Sequence, residues 1–408
     1  MKKILLLLSI LLLAFTVSCR SGKKKKTKAV QKPPTVAGNI MTTYWLDGSM
    51  KAKGTIDIKT KVKNGKWTLY NSKTQGGGIS AKGTFKKGKK SGSWQMFSKG
   101  KVTAKGSYEK GSKTGEWISY FKNGKLRSKG SYTKGKQTGP WKTFWSNGKK
   151  KSEGSYKKGI SHGLWKNYNN KGNFTNVITY KMGKKHGRIR YYYEKNKMAQ
   201  VAIYKNNLLN GMSTEFYKTG KTKHIGMYKD NKKIGVWTSY YPNGRKAQRG
   251  AFKNGKQTGL WRMYAPNGSL SQTGKFNRGN QVGMWKYYKN RRMILRAKYI
   301  KNIMKKVWTY KFGRLTGEGQ AAGFPPNIKK NGKWTSYAPS GRVKEKGEYM
   351  FNKKSGKFIL YYPNGKIKAK GDYMNNKMNG DWTFFNRDGS KNTSKTGMYM
   401  MGKKMKGF

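Results

Sequence analysis

Side chains that commonly carry catalysis or bind metals are scarce in this sequence. Its 408 residues include three histidines, one cysteine and 14 acidic residues. His162 and His186 lie 24 residues apart and each precedes a glycine, so together they could form half of a metal site. Thr or Ser stands at the same place elsewhere in the chain, and no carboxylate cluster accompanies the histidines. We therefore expect neither a metal site nor a cofactor.

Acid–base and nucleophilic chemistry lack candidates as well. Glu345 and Glu348 are close in sequence, but Lys344 and Lys346 flank the first of them, and ion pairing explains the two acids better than catalysis does. No nucleophile has a base at a recognisable spacing, and the many Gly-Lys pairs belong to turns rather than phosphate-binding loops. We predict that the chain is not an enzyme and has no catalytic residues. An enzyme acting on envelope glycans would need a carboxylate pair, which the sequence does not offer.

The single cysteine, Cys19, follows an apolar run. Residues 4–17 are too few for a spanning helix of roughly 20 residues and fit a secretory signal after Lys2 and Lys3. With a small residue directly before the cysteine, the segment looks like a bacterial lipobox. We predict a signal peptide at 1–18, lipid attachment at Cys19, and a membrane-anchored lipoprotein of the bacterial outer membrane or cell surface. The alternative is an ordinary cleavable signal with a free thiol.

Residues 19–40 are basic and contain prolines, with a lysine run at 23–26 and Lys32-Pro33-Pro34. Such a segment has no means of packing, so it predicts a tether. The lysine run would either lie on anionic headgroups or act as a solvated spacer.

Composition and charge point to an unusual folded part. The chain has 53 glycines, 14% aromatic residues and a net charge of +78, from 92 Lys plus Arg against 14 acids. Few aliphatic residues follow the apolar run, so we expect a thin sheet whose buried face is aromatic. Because such a chain repels itself, local stacking, counterions or a polyanionic partner must stabilise it.

A tryptophan recurs at intervals of mostly 23 or 24 residues. A second aromatic stands three positions later and a third nine positions earlier. The predicted core aromatics are Trp94, Trp117, Trp141, Trp165, Trp237, Trp261, Trp285, Trp334 and Trp382. The same series includes Trp67 and Trp308, with Ile189, Ser213 and Phe358 as replacements.

Each repeat has two short runs separated by a turn, most often Asn-Gly as at Asn123-Gly124. Asn-Gly favours type I′ turns, so each repeat is predicted to be a β-hairpin. The glycine two before each tryptophan either makes a second bend or leaves room for a neighbouring ring. Stacked hairpins would bring successive tryptophans together as a ladder.

The pattern Gly-x-Trp-x-x-Tyr-x-x-Asn-Gly-Lys, followed by Gly-x-Tyr-x-x-Gly-Lys, resembles the bacterial variant of the MORN repeat. Families with this repeat are often labelled YwqK-type antitoxin components. The resemblance covers roughly residues 44–408 and implies an elongated antiparallel sheet, membrane association or protein scaffolding, and no catalytic residues. We predict an all-β, single-sheet, solenoid-like array of about fourteen stacked hairpins at 41–408.

One segment, 313–330, is irregular. It has fewer lysines than its surroundings and contains Pro325-Pro326, which cannot donate to a ladder. It predicts either a tolerated loop insertion or a hinge or contact site.

The basic charge, interleaved with aromatics, predicts a scaffold that binds anionic lipid or glycan polymers of the envelope. Nucleic acid is not an expected partner in situ, because the chain is predicted to be exported. Two alternatives remain: the lysines only keep the sheet soluble, or the array binds a protein partner, including antitoxin-type neutralisation.

Overall fold

The computed structural model describes residues 31–405, which form two compact units divided after Ser112. The predicted signal segment 1–18 and Cys19 lie outside the described residues. Both units consist of antiparallel strands, and the prediction of an all-β array of hairpins is confirmed. No helix within residues 31–405 is long and apolar enough to cross a membrane.

The first unit has seven strands and one 3-10 turn. Each strand pairs with the next one in sequence. Because β1 pairs with β2, the sheet begins at Thr35, within the segment 19–40 predicted as a tether. The bounds are β1 Thr35–Ala37, β2 Ile40–Tyr44, β3 Met50–Ile56, β4 Lys63–Tyr70, the 3-10 turn Lys73–Gln75, β5 Ile79–Lys86, β6 Lys89–Ser98 and β7 Lys101–Glu109.

The second unit contains the remaining strands, again joined as consecutive antiparallel pairs, with β13 pairing to both β14 and β15. Its first strand begins at Ser112, and a 3-10 turn spans Glu194–Asn196. The strands are β8 Ser112–Tyr120, β9 Leu126–Thr133, β10 Lys136–Phe144, β11 Lys150–Lys157, β12 Ile160–Tyr168, β13 Phe174–Lys181, β14 Lys184–Lys185, β15 Gly187–Tyr192, β16 Met198–Lys205, β17 Leu208–Phe216, β18 Thr222–Lys229, β19 Lys232–Tyr240, β20 Lys246–Lys253, β21 Lys256–Tyr264, β22 Leu270–Asn277, β23 Asn280–Lys289, β24 Arg292–Ile300, β25 Ile303–Lys311, β26 Arg314–Phe324, β27 Asn327–Tyr337, β28 Val343–Met350, β29 Lys353–Tyr361, β30 Ile367–Met374, β31 Lys377–Phe384, β32 Gly397–Met400 and β33 Lys403–Lys404.

Successive side chains of a strand alternate between two faces, and only one face of these sheets is aromatic and buried. We call it the tryptophan face and the other the opposite face. A bulge precedes each tryptophan: in β21 the ladder skips Gly259 and Leu260, and Trp261 lies opposite Gly274. Gly259 has φ +65°, and a Cβ there would meet nothing within 4 Å. Of the two roles predicted for this glycine, the structure therefore shows the bend.

The turn types differ from the prediction. In the Asn123-Gly124 turn only Gly124 has positive φ, Gly124 N–H donates to Phe121 O, and Phe121 N–H donates to Lys125 O. This is a type I turn with a bulge, so the prediction of type I′ was wrong. Asn123 Oδ1 accepts from Lys125 N–H instead, which does not need a positive φ at the asparagine. The type I′ turns lie at the other end of the strands, as at Lys134-Gly135, with φ values of 49° and 79°.

The irregular segment 313–330 is not a loop insertion. It belongs to the hairpin of β26 and β27, which extends the ladder to the pair Phe324 and Asn327 and places the two prolines in its turn. The repeat also shifts by one residue nearby. Val307 occupies the buried position, fully shielded from solvent, and Trp308 points to the opposite face, so placing Trp308 in the core series was wrong.

Candidate anion-binding surface

The nine predicted core tryptophans are all buried on the tryptophan face, between 0% and 7% exposed. Eight of these rings, all except that of Trp117, are seen to lie over a glycine of the preceding strand, as Trp261 lies over Gly250. Repeats that lack an aromatic ring at this position also lack the glycine. The glycine position holds Ile178 where Ile189 replaces the ring, Ala202 where Ser213 does, and Ala297 where Val307 does. The ring and the bare backbone beneath it therefore form one packing unit.

Successive tryptophans of the aromatic ladder do not touch each other directly. Where an aromatic stands nine residues before a tryptophan, it lies edge-on between that tryptophan and the preceding one. Phe252 is 5.2 Å from Trp261 between ring centroids, and Phe276 is 5.8 Å from it on the other side. Such edge contacts add about 0.5–1.5 kcal/mol each beyond buried area. The indole N–H of Trp261 donates to Ala251 O, next to the bulge, at 3.2 Å.

In several repeats, the lysine four residues before the tryptophan lies over the indole ring. Lys233 Nζ lies 4.2 Å from the Trp237 centroid and 5.3 Å from that of Phe252. Burial lowers the pKa of the equivalent Lys63 and Lys90. These cations belong to the core, and the sequence prediction missed them although their spacing from tryptophan was visible.

A second group of cations links neighbouring repeats along the Asn-Gly turns. Asn243 Nδ2 donates to Pro266 O at 2.9 Å, and Arg245 Nη1 donates to Asn267 O in the next turn. Lys125 Nζ and Lys221 Nζ donate to the following turns in the same way, at 3.1 and 3.0 Å. These cations therefore have a structural use.

The type I′ turns of the second unit carry cations that, among the described residues, make no such hydrogen bonds to a neighbouring turn. We call the line of turns at 134–135, 158–159, 182–183, 206–207, 230–231, 254–255 and 278–279 the lysine edge. Within the described chain, exposed lysines in and beside these turns, Lys134 and Lys158 among them, form neither an ion pair nor a side-chain hydrogen bond. Six of these lysines stand as three directly opposed pairs: Lys181 with Lys184, Lys229 with Lys232, and Lys253 with Lys256.

A cavity of about 590 Å³ lies between two turns of the lysine edge. Lys253, Lys256 and Arg278 line it, together with Thr258 and the amide-bearing Asn254 and Asn277. All of these side chains can donate hydrogen bonds, and none of them is acidic. A phosphate, sulfate or carboxylate group is the chemistry that this cleft fits.

Other groups considered in the sequence have structural partners. Glu345 accepts hydrogen bonds from Lys354 (2.6 Å), Tyr349 (2.7 Å) and Ser336 (3.1 Å) rather than pairing with its flanking lysines. His162 and His186 lie on β12 and beside β14, with β13 between these strands. Within residues 31–405, no three His, Cys, Asp or Glu side chains could hold a metal ion together.

One polar cluster was not visible in the sequence. On the tryptophan face, Glu215, His224 and Ser239 stand opposite one another on three adjacent strands. His224 Nδ1 is 2.8 Å from Ser239 Oγ. Burial lowers the pKa of His224, although Glu215 opposes this shift. The cluster continues a ladder of hydrogen-bonded polar pairs that includes Thr143 with Ser152 and Asn167 with Asn176.

Comparison with known proteins identifies the repeats. Six segments match the family described as the MORN repeat variant, at residues 113–134, 137–158, 185–206, 233–254, 330–350 and 354–375. No curated protein sequence matches the chain. The chain thus contains MORN-variant repeats, which suggest a repeat-based binding or scaffold module.

Two solved structures are similar over most of this chain. The crystal structure of TcdB2-TccC3-Cdc42 aligns over 88% of it at 14% identity and a TM-score of 0.16. That of TcdB2-TccC3 aligns over 86% at 13% identity, with the same TM-score. The chain spans about a fifth of the length of either (20% and 21%), and scores this low carry no argument about function.

Proposed function

We propose that the chain is a non-catalytic scaffold of the bacterial cell envelope whose lysine edge binds anionic polymers or lipid headgroups. The observation that carries the proposal is the set of opposed lysine pairs on this edge. Like charges directly opposite each other destabilise a sheet, whereas opposite charges add roughly 0.2–1 kcal/mol per pair. A surface that keeps three such pairs within four successive turns is suited to an anionic partner that neutralises them.

Solubility alone does not account for this arrangement. Acidic side chains would protect an exposed sheet equally well, and alternating signs would avoid the repulsion within each pair. The cleft at Lys253, Lys256 and Arg278 adds convergent donors to the charge. Because the turns recur with every second strand, roughly every 10 Å, one long polyanion could contact many of them, and weak contacts would sum by multivalency.

The experiment compares two triple variants with the same change in charge. The cleft variant is K253Q/K256Q/R278Q, and the control is K142Q/K286Q/K370Q, which changes three exposed lysines of the opposite face. Duplex DNA serves as a well-calibrated anionic probe. Each lost phosphate contact lowers the slope of log affinity against log salt by about 0.9.

In the cleft variant, we expect the magnitude of the slope of log affinity against log salt to fall by up to about 2.7, for three lost contacts. In the control variant, we expect this slope to change far less. Equal losses would show that only net charge matters and would contradict a site on the lysine edge. The same pair of variants, tested on lipopolysaccharide and acidic liposomes, separates polymer binding from headgroup binding.

Placement of this surface at the envelope rests on the signal at 1–18 and lipid attachment at Cys19. Metabolic labelling of the expressed chain with a palmitate analogue tests this part. Labelling that disappears in C19S would support the anchor, and an unlabelled chain would contradict it.

A further inference from the structure

A row of exposed apolar side chains lies on the opposite face of the second unit. Its members are between 39% and 52% exposed. They are Leu164, Met212, Met227, Val236, Leu260 and Met284. All except Met227 stand directly before the tryptophan position of their repeat, where strand alternation points the side chain away from the tryptophan face. Met227 lies directly opposite Met212 on the neighbouring strand, which makes the row continuous there.

The fold does not require apolar residues at this position. The equivalent position holds Lys66 and Ser93 in the first unit, and Glu116, Lys333 and Asp381 elsewhere in the second unit, in the same bulged backbone. Apart from Pro140 before Trp141, apolar side chains at this position are confined to consecutive repeats between Leu164 and Met284, with Arg188 as the one interruption. Exposed apolar surface that is local and unnecessary for folding is typical of an interaction site.

The surroundings of the row define the charge of its occupant. Cations border it on the same face, and no acidic residue lies between those named here. They include Arg188, Arg190, Arg249, Arg262 and Lys275. A second copy of this chain, with its net charge of +78, would bring further positive charge against them. The occupant should therefore be apolar along one line and acidic beside it.

The spacing of the row fits an α-helix. Residues before successive tryptophans are two strands apart, or about 9.6 Å in the hydrogen-bonding direction. Seven residues of an α-helix rise about 10.5 Å. A helix lying across the strands would thus present one apolar heptad stripe in near register with Met212, Val236, Leu260 and Met284. We propose that this face binds an acidic amphipathic helix of a protein partner.

The apolar row and the lysine edge are separate surfaces, and the test distinguishes binding at one from binding at the other. The probe is a labelled acidic peptide of about four heptads, with Leu at the a and d positions and Glu beside them. A second peptide has the same composition in scrambled order. Fluorescence anisotropy measures the binding of both to the purified full chain at physiological salt.

We expect the heptad peptide to bind and the scrambled peptide to bind at least about tenfold more weakly, because apolar anchors carry most of the affinity of such an interface. The variant M212Q/V236T/L260Q should lose at least about tenfold in affinity. The control M350Q/M374Q/M400Q changes three exposed methionines outside the row and should bind as the unchanged chain does. The cleft variant K253Q/K256Q/R278Q should also keep its affinity for the peptide.

Equal binding of the two peptides would overturn the proposal, because charge alone would then explain it. Equal losses in the row variant and the methionine control would overturn it as well. The last comparison uses acidic phosphatidylglycerol vesicles. If binding of the vesicles requires Met212, Val236 and Leu260 and binding of the heptad peptide does not, the occupant is a membrane and the proposal is wrong. Circular dichroism of each variant confirms that the strands remain.

Discussion

The substitution Gly250→Ala tests the packing unit of ring and bare backbone most sharply. Gly250 has no positive φ, so alanine brings no backbone strain. Its Cβ would overlap the Trp261 ring, which is 2% exposed and cannot move into free space. Overpacking of this kind costs about 1–3 kcal/mol. Displacing the ring also weakens its edge contacts with Phe252 and Phe276, at about 0.5–1.5 kcal/mol each. We expect a total of about 3 kcal/mol.

Hydrogen exchange measured by mass spectrometry is the suitable assay, because repeats contact mainly their neighbours and open locally. A loss of 3 kcal/mol corresponds to roughly 10² in the local opening constant. We expect exchange to rise by that factor in β20, β21 and β22 and to change little in β29 and β30. A uniform rise along the second unit would contradict local packing.

The double variant G250A/W261L supplies the control. This chain already combines a larger residue at the glycine position with a smaller one at the tryptophan position, as in Ala202 with Ser213. The alanine should therefore cost less than about 0.5 kcal/mol in the W261L background, because the ring that it would strike is gone. The same cost in both backgrounds would refute the reasoning.

Three further predictions concern charge and hydrogen bonds. K229Q/K232Q should raise the stability of the second unit by up to about 1 kcal/mol in thermal unfolding at low salt, and the gain should fade in 1 M NaCl; destabilisation would contradict the repulsion. Burial opposes ionisation of Glu345, but hydrogen bonds from Lys354, Tyr349 and Ser336 outweigh it and lower its pKa. Because its pKa is lowered by folding, Glu345 stabilises the fold at pH values above the ordinary glutamate pKa. This stabilisation is lost as the pH falls through the pKa of Glu345 in the folded state. E345Q should therefore lower the melting temperature at pH 7, and this difference should shrink as the pH is lowered below the ordinary glutamate pKa; a pH-independent difference would contradict this. N243A removes the bonds to Pro266 and Arg245 and should cost about 1–2 kcal/mol in urea unfolding, whereas N170A, at a turn position with no side-chain bond, should cost little.

Most of the fold could be predicted from the sequence because the repeat is encoded by large, unambiguous residues. Tryptophan recurs at intervals of mostly 23 or 24 residues, with aromatics at two fixed offsets. The two runs within each interval are too short for stable helices, so each repeat must be a hairpin. The turn types could not be predicted, because Asn-Gly suits both a type I′ turn and a type I turn with a bulge.

The candidate surfaces were harder to predict than the fold. A count of lysines does not separate Lys233, which covers a ring, from Lys253, which faces solvent beside another lysine. Counting intervals also misplaced Trp308, since one repeat is shorter and Val307 takes the buried position. Alternation along the strand places Val236 on the opposite face, because the adjacent Trp237 is buried. The row could not be predicted because the sequence analysis did not follow the residue before each tryptophan from repeat to repeat.

The central claim is that this chain binds anionic polymers through electrostatic contacts on the lysine edge. Its most direct test is a salt titration of binding to heparin, lipopolysaccharide and acidic liposomes, with the purified chain and the cleft variant K253Q/K256Q/R278Q side by side. We expect affinity for one of these ligands to exceed the others and to fall steeply with salt, with a shallower fall in the variant. Weak, indiscriminate binding at 150 mM salt, or identical salt dependence of the two proteins, would contradict the claim.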